Sequence, residues 1–98
     1  MSFIHPFRIP RDHPSLPGHF PNQPVVPGVV LLEEIRRAMG QWRPGLRLTG
    51  FPQVKFLLPL LPEQAAQIKL TERDGKIRFV CSRGDAILAR GEIQLGPS

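Results

Sequence analysis

Seven of the twelve prolines crowd into the first 27 residues, at Pro6, Pro10, Pro14, Pro17, Pro21, Pro24 and Pro27. Proline has no backbone N–H to give, and it pushes the residue before it out of the helical region. No regular helix can therefore form before Pro27. Residues 3–8 have room for one edge strand, and residues 9–26 are expected to run as a stiff, extended loop. The first helical position tolerates proline, so a helix can open at Pro27. Nothing breaks it from Val29 to about Gln41, and Gly40 or the Pro44-Gly45 pair closes it. Leu31, Ile35, Ala38, Met39 and Trp42 form a stripe at helical spacing. Val29, Val30 and Leu32 widen that stripe, so the first turn is expected to be buried on most sides.

Beyond the helix the pattern changes to strands. Leu46 to Leu58 is long and mixed, and Gly50 and Pro52 predict a bend or bulge in it. Ala66 to Arg73 follows Pro59 and Pro62. Asp74-Gly75 is a strong hairpin signal. Lys76 to Ser82 alternates, with Ile77, Phe79 and Cys81 on one face and Arg78 and Val80 on the other. Gly84-Asp85 makes a second turn, and Ala86 to Leu95 is the last strand. The order is strand, long loop, helix, then four strands on short turns, an α+β pattern with one helix on an antiparallel sheet. The 98 residues suffice for a single domain, 1–98. A core this small predicts a subunit interface.

The formal net charge is +5, from thirteen Lys and Arg against eight Asp and Glu. A basic balance favours an acidic partner. The arginines are scattered and do not alternate with aromatic residues, so a nucleic-acid groove is not supported. Cys81 is the one cysteine, which excludes an internal disulfide and reads as a buried structural thiol. No stretch approaches the ~20 apolar residues that cross a bilayer, and no signal peptide is evident. A soluble, cytoplasmic protein without membrane partners is expected.

Two features carry chemistry. The first is Pro17-Gly18-His19-Phe20-Pro21, where stiff neighbours preorganise a histidine. The second is Glu33, set in a helix with an apolar first turn, where partial desolvation would raise its pKa and suit it to act as an acid. Between them lies Gly28, at a helix start whose free N–H groups can polarise a carbonyl oxygen. Each has a plainer reading. His19 can be a hydrogen-bonded structural residue, and Gly28 only a helix start. Glu33 can pair with Arg36 or Arg37 on a solvated face. Glu34 is an equal candidate by periodicity.

Together the features match a known pattern. His19-Phe20-Pro21-Asn22-Gln23-Pro24-Val25-Val26-Pro27-Gly28, continued through Leu32 to Glu33, resembles the H-F-P-G-x-P-x-x-P-G-x-x-x-x-E signature of bacterial 3-hydroxyacyl-acyl carrier protein dehydratases. Val54-Lys55-Phe56-Leu57-Leu58-Pro59-Leu60-Leu61-Pro62 is similar to that family's V-K-F-x-x-P-V-x-P-G strand. The small size and the Asp12-His13-Pro14 lead-in resemble the branch found in aryl polyene pigment clusters.

The resemblance implies a hotdog fold, a long helix wrapped by a curved antiparallel sheet of about five to six strands, paired into a dimer. It implies active sites at the dimer interface, with His19 from one chain and Glu33 from the other; the motif offset selects Glu33 over Glu34. Gly28 matches the glycine whose amide binds the thioester carbonyl, with Phe20, Pro27 and Val29 beside the substrate. The implied partner is an acyl carrier protein, with Arg36, Arg37 and Arg43 as docking candidates, and no cofactor or metal is implied. Three departures stand out. Asn22 and Glu63 replace glycines. Arg37 replaces a glutamine four residues after Glu33, where it would hold Glu33 ionised if turned inward, or belong to the surface if turned outward. A hotdog thioesterase, a weakly catalytic partner subunit of a heteromeric dehydratase, and a non-enzymatic acyl-binding module are the competing functions.

Overall fold

The computed structural model describes residues 1–14, 16 and 25–96. The elements run β1 (Ser2–Phe7), α1 (Gly28–Trp42), β2 (Arg47–Phe56), β3 (Ala66–Arg73), β4 (Lys76–Arg83) and β5 (Ala86–Gly96). The five strands form one antiparallel sheet in the order β1-β3-β4-β5-β2, with α1 against one face. The stiff, extended loop expected over residues 9–26 is instead turned where it is described, with the His13 N–H bonded to the Pro10 carbonyl at 3.1 Å and the Leu16 N–H to the His13 carbonyl at 3.0 Å, and residues 15 and 17–24 lie outside the described residues. β1 pairs only with β3, and the described residues between β1 and Pro27 contain no helix or strand.

Helix α1 begins one residue later than expected, with Pro27 as the extended N-cap. It runs through Gly40 and ends at Trp42, where the Arg43 N–H bonds back to the Met39 carbonyl. One glycine weakens a helix without stopping it. Turning about 100° per residue, the helix lays Val30, Leu31, Glu34, Ile35, Ala38 and Met39 against the sheet. The expectation that its first turn is buried on most sides fails at Val29, which is 64% exposed. Val29 lies on the side of the helix facing away from the sheet.

The buried side chains of the strands alternate as pleating requires. Ile68 and Leu70 of β3, Ile77, Phe79 and Cys81 of β4, and Ile93 of β5 face the helix. In β5, Leu88 and Ala89 are both buried in succession, which a simple pleat forbids. The register shift opposite Cys81 and Ser82 supplies the extra residue. Asp74 and Gly75 both take positive φ, 55° and 76°, as the tight β3–β4 hairpin turn needs. Gly84 takes φ 57° in the β4–β5 turn.

Strand β2 carries the expected irregularity, with register shifts between Leu48 and Gly50 and between Gly50 and Gln53. It crosses β5 closely at Gly91, where a Cβ would sit 2.1 Å from the Gln53 carbonyl oxygen. The same Cβ would come within 2.8 Å of the Phe79 ring, which stands edge-on to Phe51 at 6.0 Å between ring centres. Glu63, at the position where the family motif has glycine, takes φ 68°. The turn forms all the same, and its N–H donates to the Ile9 carbonyl at 2.8 Å.

The outer face of the sheet is polar. Ile4, Lys69, Val80, Arg90 and Lys55 lie opposite one another across all five strands. Arg78 stands in the neighbouring row beside Glu92 at 3.6 Å. A depression of about 380 Å³ on this face is lined by Lys55, Arg78 and Arg90, away from the helix. Among the described residues, no helix is long and apolar enough to cross a membrane.

Candidate active site

The start of α1 is built around the missing side chain of Gly28. A Cβ there would come within 2.7 Å of the Phe56 ring. Glycine thus lets the end of β2 close over the first turn of the helix. Pro27 has no N–H, and it makes no side-chain cap. The Val30 N–H folds back to the Pro27 carbonyl at 3.0 Å, while Gly28 and Val29 have no backbone acceptor among the described residues. Two amides at the positive end of the helix dipole are thus left to meet an oxygen from outside.

Around this point apolar side chains stand in the open. Val29, Phe56, Leu57, Leu58 and Leu61 are between 41% and 64% exposed. The amides of Leu57 and Leu58 both bond to the Leu88 carbonyl, which anchors this segment to β5. Exposed apolar side chains grouped in this way form the kind of surface at which proteins meet partners.

The two glutamates separate cleanly. The expectation that Glu33 is partly desolvated does not hold within one chain, where Glu33 is exposed. It lies about 150° around the helix from the centre of the buried stripe, on the same side as Val29. Glu34, one step on, is the buried carboxylate, at 8% exposure. His5 Nε2–H donates to Glu34 Oε2 at 3.1 Å, and Arg37 Nη1–H donates to Glu34 Oε1 at 3.1 Å. His5 Nδ1 faces Gln41 Oε1 at 3.2 Å.

Of the two forms expected of Arg37, the outward, surface one is found. It is turned to Glu34, not to Glu33, with its side chain 68% exposed. Arg36 sits over the Phe51 ring at 5.6 Å and reaches the Leu48 carbonyl. Arg43 lies over Trp42 at 4.3 Å and pairs with Glu72 at 2.6 Å. Of the three docking candidates, Arg43 is thus tied down within the chain.

Sequence reasoning missed His5. A signal was present: β1 alternates, with Phe3, His5 and Phe7 half-buried and Ser2, Ile4 and Pro6 exposed. A histidine in the apolar half of such a strand needs a polar partner across from it. His19, Phe20 and Asn22 lie outside the described residues. Among the described residues, no cluster of His, Cys, Asp and Glu has the spacing of a metal site.

The comparisons extend this picture. The chain is 31% identical to the 3-hydroxyacyl-acyl-carrier-protein dehydratase FabZ of Histophilus somni, in an alignment covering 69% of this chain and 53% of that protein. It spans about half the length of the curated relatives it matches. Among solved structures, a chain of the dehydratase heterocomplex ApeI:P from Xenorhabdus doucetiae superposes with a TM-score of 0.83 at 23% identity, over 96% of this chain and 86% of that one. The fluoroacetyl-CoA thioesterase FlK superposes at 0.71 with 18% identity, over 98% and 84%. These likenesses bear out the expected hotdog architecture, while they leave the chemistry to the side chains. Residues 2–92 match the family model described as ApeI-like, ApeI dehydratase, and on that match the chain belongs to the ApeI-like family of dehydratases.

Proposed function

We propose that the protein removes water from 3-hydroxyacyl thioesters carried on an acyl carrier protein, leaving trans-2-enoyl thioesters for fatty acid or polyene synthesis. The observation that carries this reading is the family match over residues 2–92. Its range includes His19, Gly28 and Glu33, whose spacing resembles the family signature.

Each residue has a defined task. His19, as a neutral imidazole, takes the α-proton of the thioester. The Gly28 amide donates to the carbonyl oxygen as the enolate forms, aided by the helix dipole. Glu33, protonated, donates to the departing 3-hydroxyl. Phe20, Pro27 and Val29 flank the acyl chain. The exposed apolar cluster at Val29 and Phe56–Leu58 supports a second subunit closing over this end of the helix. That subunit would bring Glu33 out of bulk water and supply His19 from across the interface. A second copy of this chain is the simplest such subunit.

A dissimilar partner is the second reading, and the heterocomplex assembly of the ApeI:P relative supports it. Carrier docking would draw on cations left exposed, Arg37 and Arg36 before Arg43. Mass analysis of a hydroxyacyl carrier protein incubated with the purified chain tests these readings. Loss of one water is the expected outcome, and release of free acid would replace dehydration with thioester hydrolysis. Dehydration only after a second subunit is added would select the heteromer.

A further inference from the structure

Two acids stand side by side on α1, with two arginines one turn beyond, and neither arginine is turned to Glu33. We infer that Glu34 is a positioning residue that draws Arg37 away from Glu33, so that Glu33 keeps a carboxyl free to carry a proton. The use of that proton rests on the reading of Glu33 as the acid of the dehydration. The arrangement of charges does not.

The default for this stretch of helix is different. Glu followed four residues later by Arg is the favoured pairing on an exposed helix face, so Glu33 and Arg37 would be expected to meet. Glu34 lies three residues from Arg37 and still wins, with the Arg37 Nη1 to Glu34 Oε1 distance at 3.1 Å. The reason is burial. The Glu34 side chain is 11% exposed, and its attraction for a cation is less weakened by water than that of the exposed Glu33. His5 of β1 holds the other carboxylate oxygen, with its own side chain 12% exposed, and so keeps Glu34 pointed at Arg37.

The remaining charges around α1 are accounted for in the same way. Arg36, three residues after Glu33, is drawn to the Phe51 ring and the Leu48 carbonyl of β2. Glu72 of β3 is held by Arg43. Among the described residues, Glu33 makes no hydrogen bond or ion pair. A proton donor beside a guanidinium would give up its proton too early, because an adjacent cation favours the carboxylate. Glu34 removes that cation.

The test follows the titration of the Glu33 carboxyl carbon by NMR in the full-length protein, with the signal assigned by its loss in Glu33→Gln. In Glu34→Gln, Arg37 is released to Glu33, and the midpoint should fall by about one pH unit. In the double variant Glu34→Gln/Arg37→Gln it should return to the wild-type value, and Arg37→Gln alone should barely move it. An unmoved midpoint in Glu34→Gln, or a fall that persists in the double variant, overturns the inference. If Glu34→Gln does not fold, Glu34→Asp shortens the reach while keeping the charge and should give a smaller fall in the same direction. The alkaline limb of dehydration should move with the midpoint and recover with it. A Glu33→Gln variant with full turnover would end the catalytic reading of Glu33 and leave the NMR result standing.

Discussion

At the scale of single residues, the two acids of α1 show how much depends on one step around a helix. Glu33 points away from the sheet and Glu34 into it, and periodicity alone could not choose between them for a catalytic role. His19→Ala and Glu33→Gln should each lower dehydration by about 10²–10⁴-fold, the usual worth of a positioned base or acid. Folded variants with near-full turnover would remove the assignment. Glu63 holds φ 68°, a conformation that suits glycine far better than glutamate. Glu63→Gly should therefore stabilise the chain by about 0.5–1 kcal/mol, part of the relief being offset by a freer unfolded chain. A higher urea midpoint would show it, and an unchanged or lower one would refute it. Cys81 is fully buried, and burial pushes its thiol from the ordinary 9.0 up to about 11. The unfolded thiol ionises first, so native stability should decline as pH rises from about 9 towards 11. Alkylation at pH 8 should be slow in the native protein and fast in urea; equal rates would show that the core opens freely.

At the scale of elements, most of the fold is legible in the sequence because local chemistry and burial agree. The prolines exclude an early helix, the 3.6-residue stripe marks α1, and Asp74-Gly75 marks the β3–β4 hairpin. β3 is read from Ala66 to Arg73 and forms over those residues. The end of α1 is less legible, because Gly40 weakens the helix by less than the packing of Met39 and Trp42 sustains it. The exposure of Val29 and Glu33 is also hidden from a single chain's pattern. An apolar stripe looks the same whether the chain's own sheet covers it or another subunit does. Of the candidate site, Gly28 and Glu33 are found on the first turns of α1, while the His5–Glu34 contact is long-range and had only the alternation of β1 to betray it. Gly91 is a second position whose role appears only in three dimensions. Its Cβ would meet the backbone oxygen of Gln53 at 2.1 Å, and backbone cannot swing aside as a side chain can. Gly91→Ala should cost about 3 kcal/mol or more and loosen β2 from β5. Near-native stability with protected β2 amides in hydrogen exchange would contradict this account.

At the scale of the whole molecule, the proposal of a site shared between subunits rests on the exposure of Glu33 and of the apolar cluster beside Gly28 in one chain. Mixing inactive His19→Ala with inactive Glu33→Gln should restore about half of the sites in heterodimers, if the histidine and the acid come from different copies. Continued inactivity, with subunit exchange verified, would place both groups in one chain or assign the missing half to a dissimilar partner. The opposite side of the molecule has a different consequence. Lys55, Lys69 and Arg90 share one row across the sheet, with Arg78 beside it, and Glu92 is the acid set among them. Two copies laid back to back would press cation against cation in a narrowing film of water. Like charge on the outer face of the sheet thus opposes the stacking of one copy of this chain on another, most strongly at low salt.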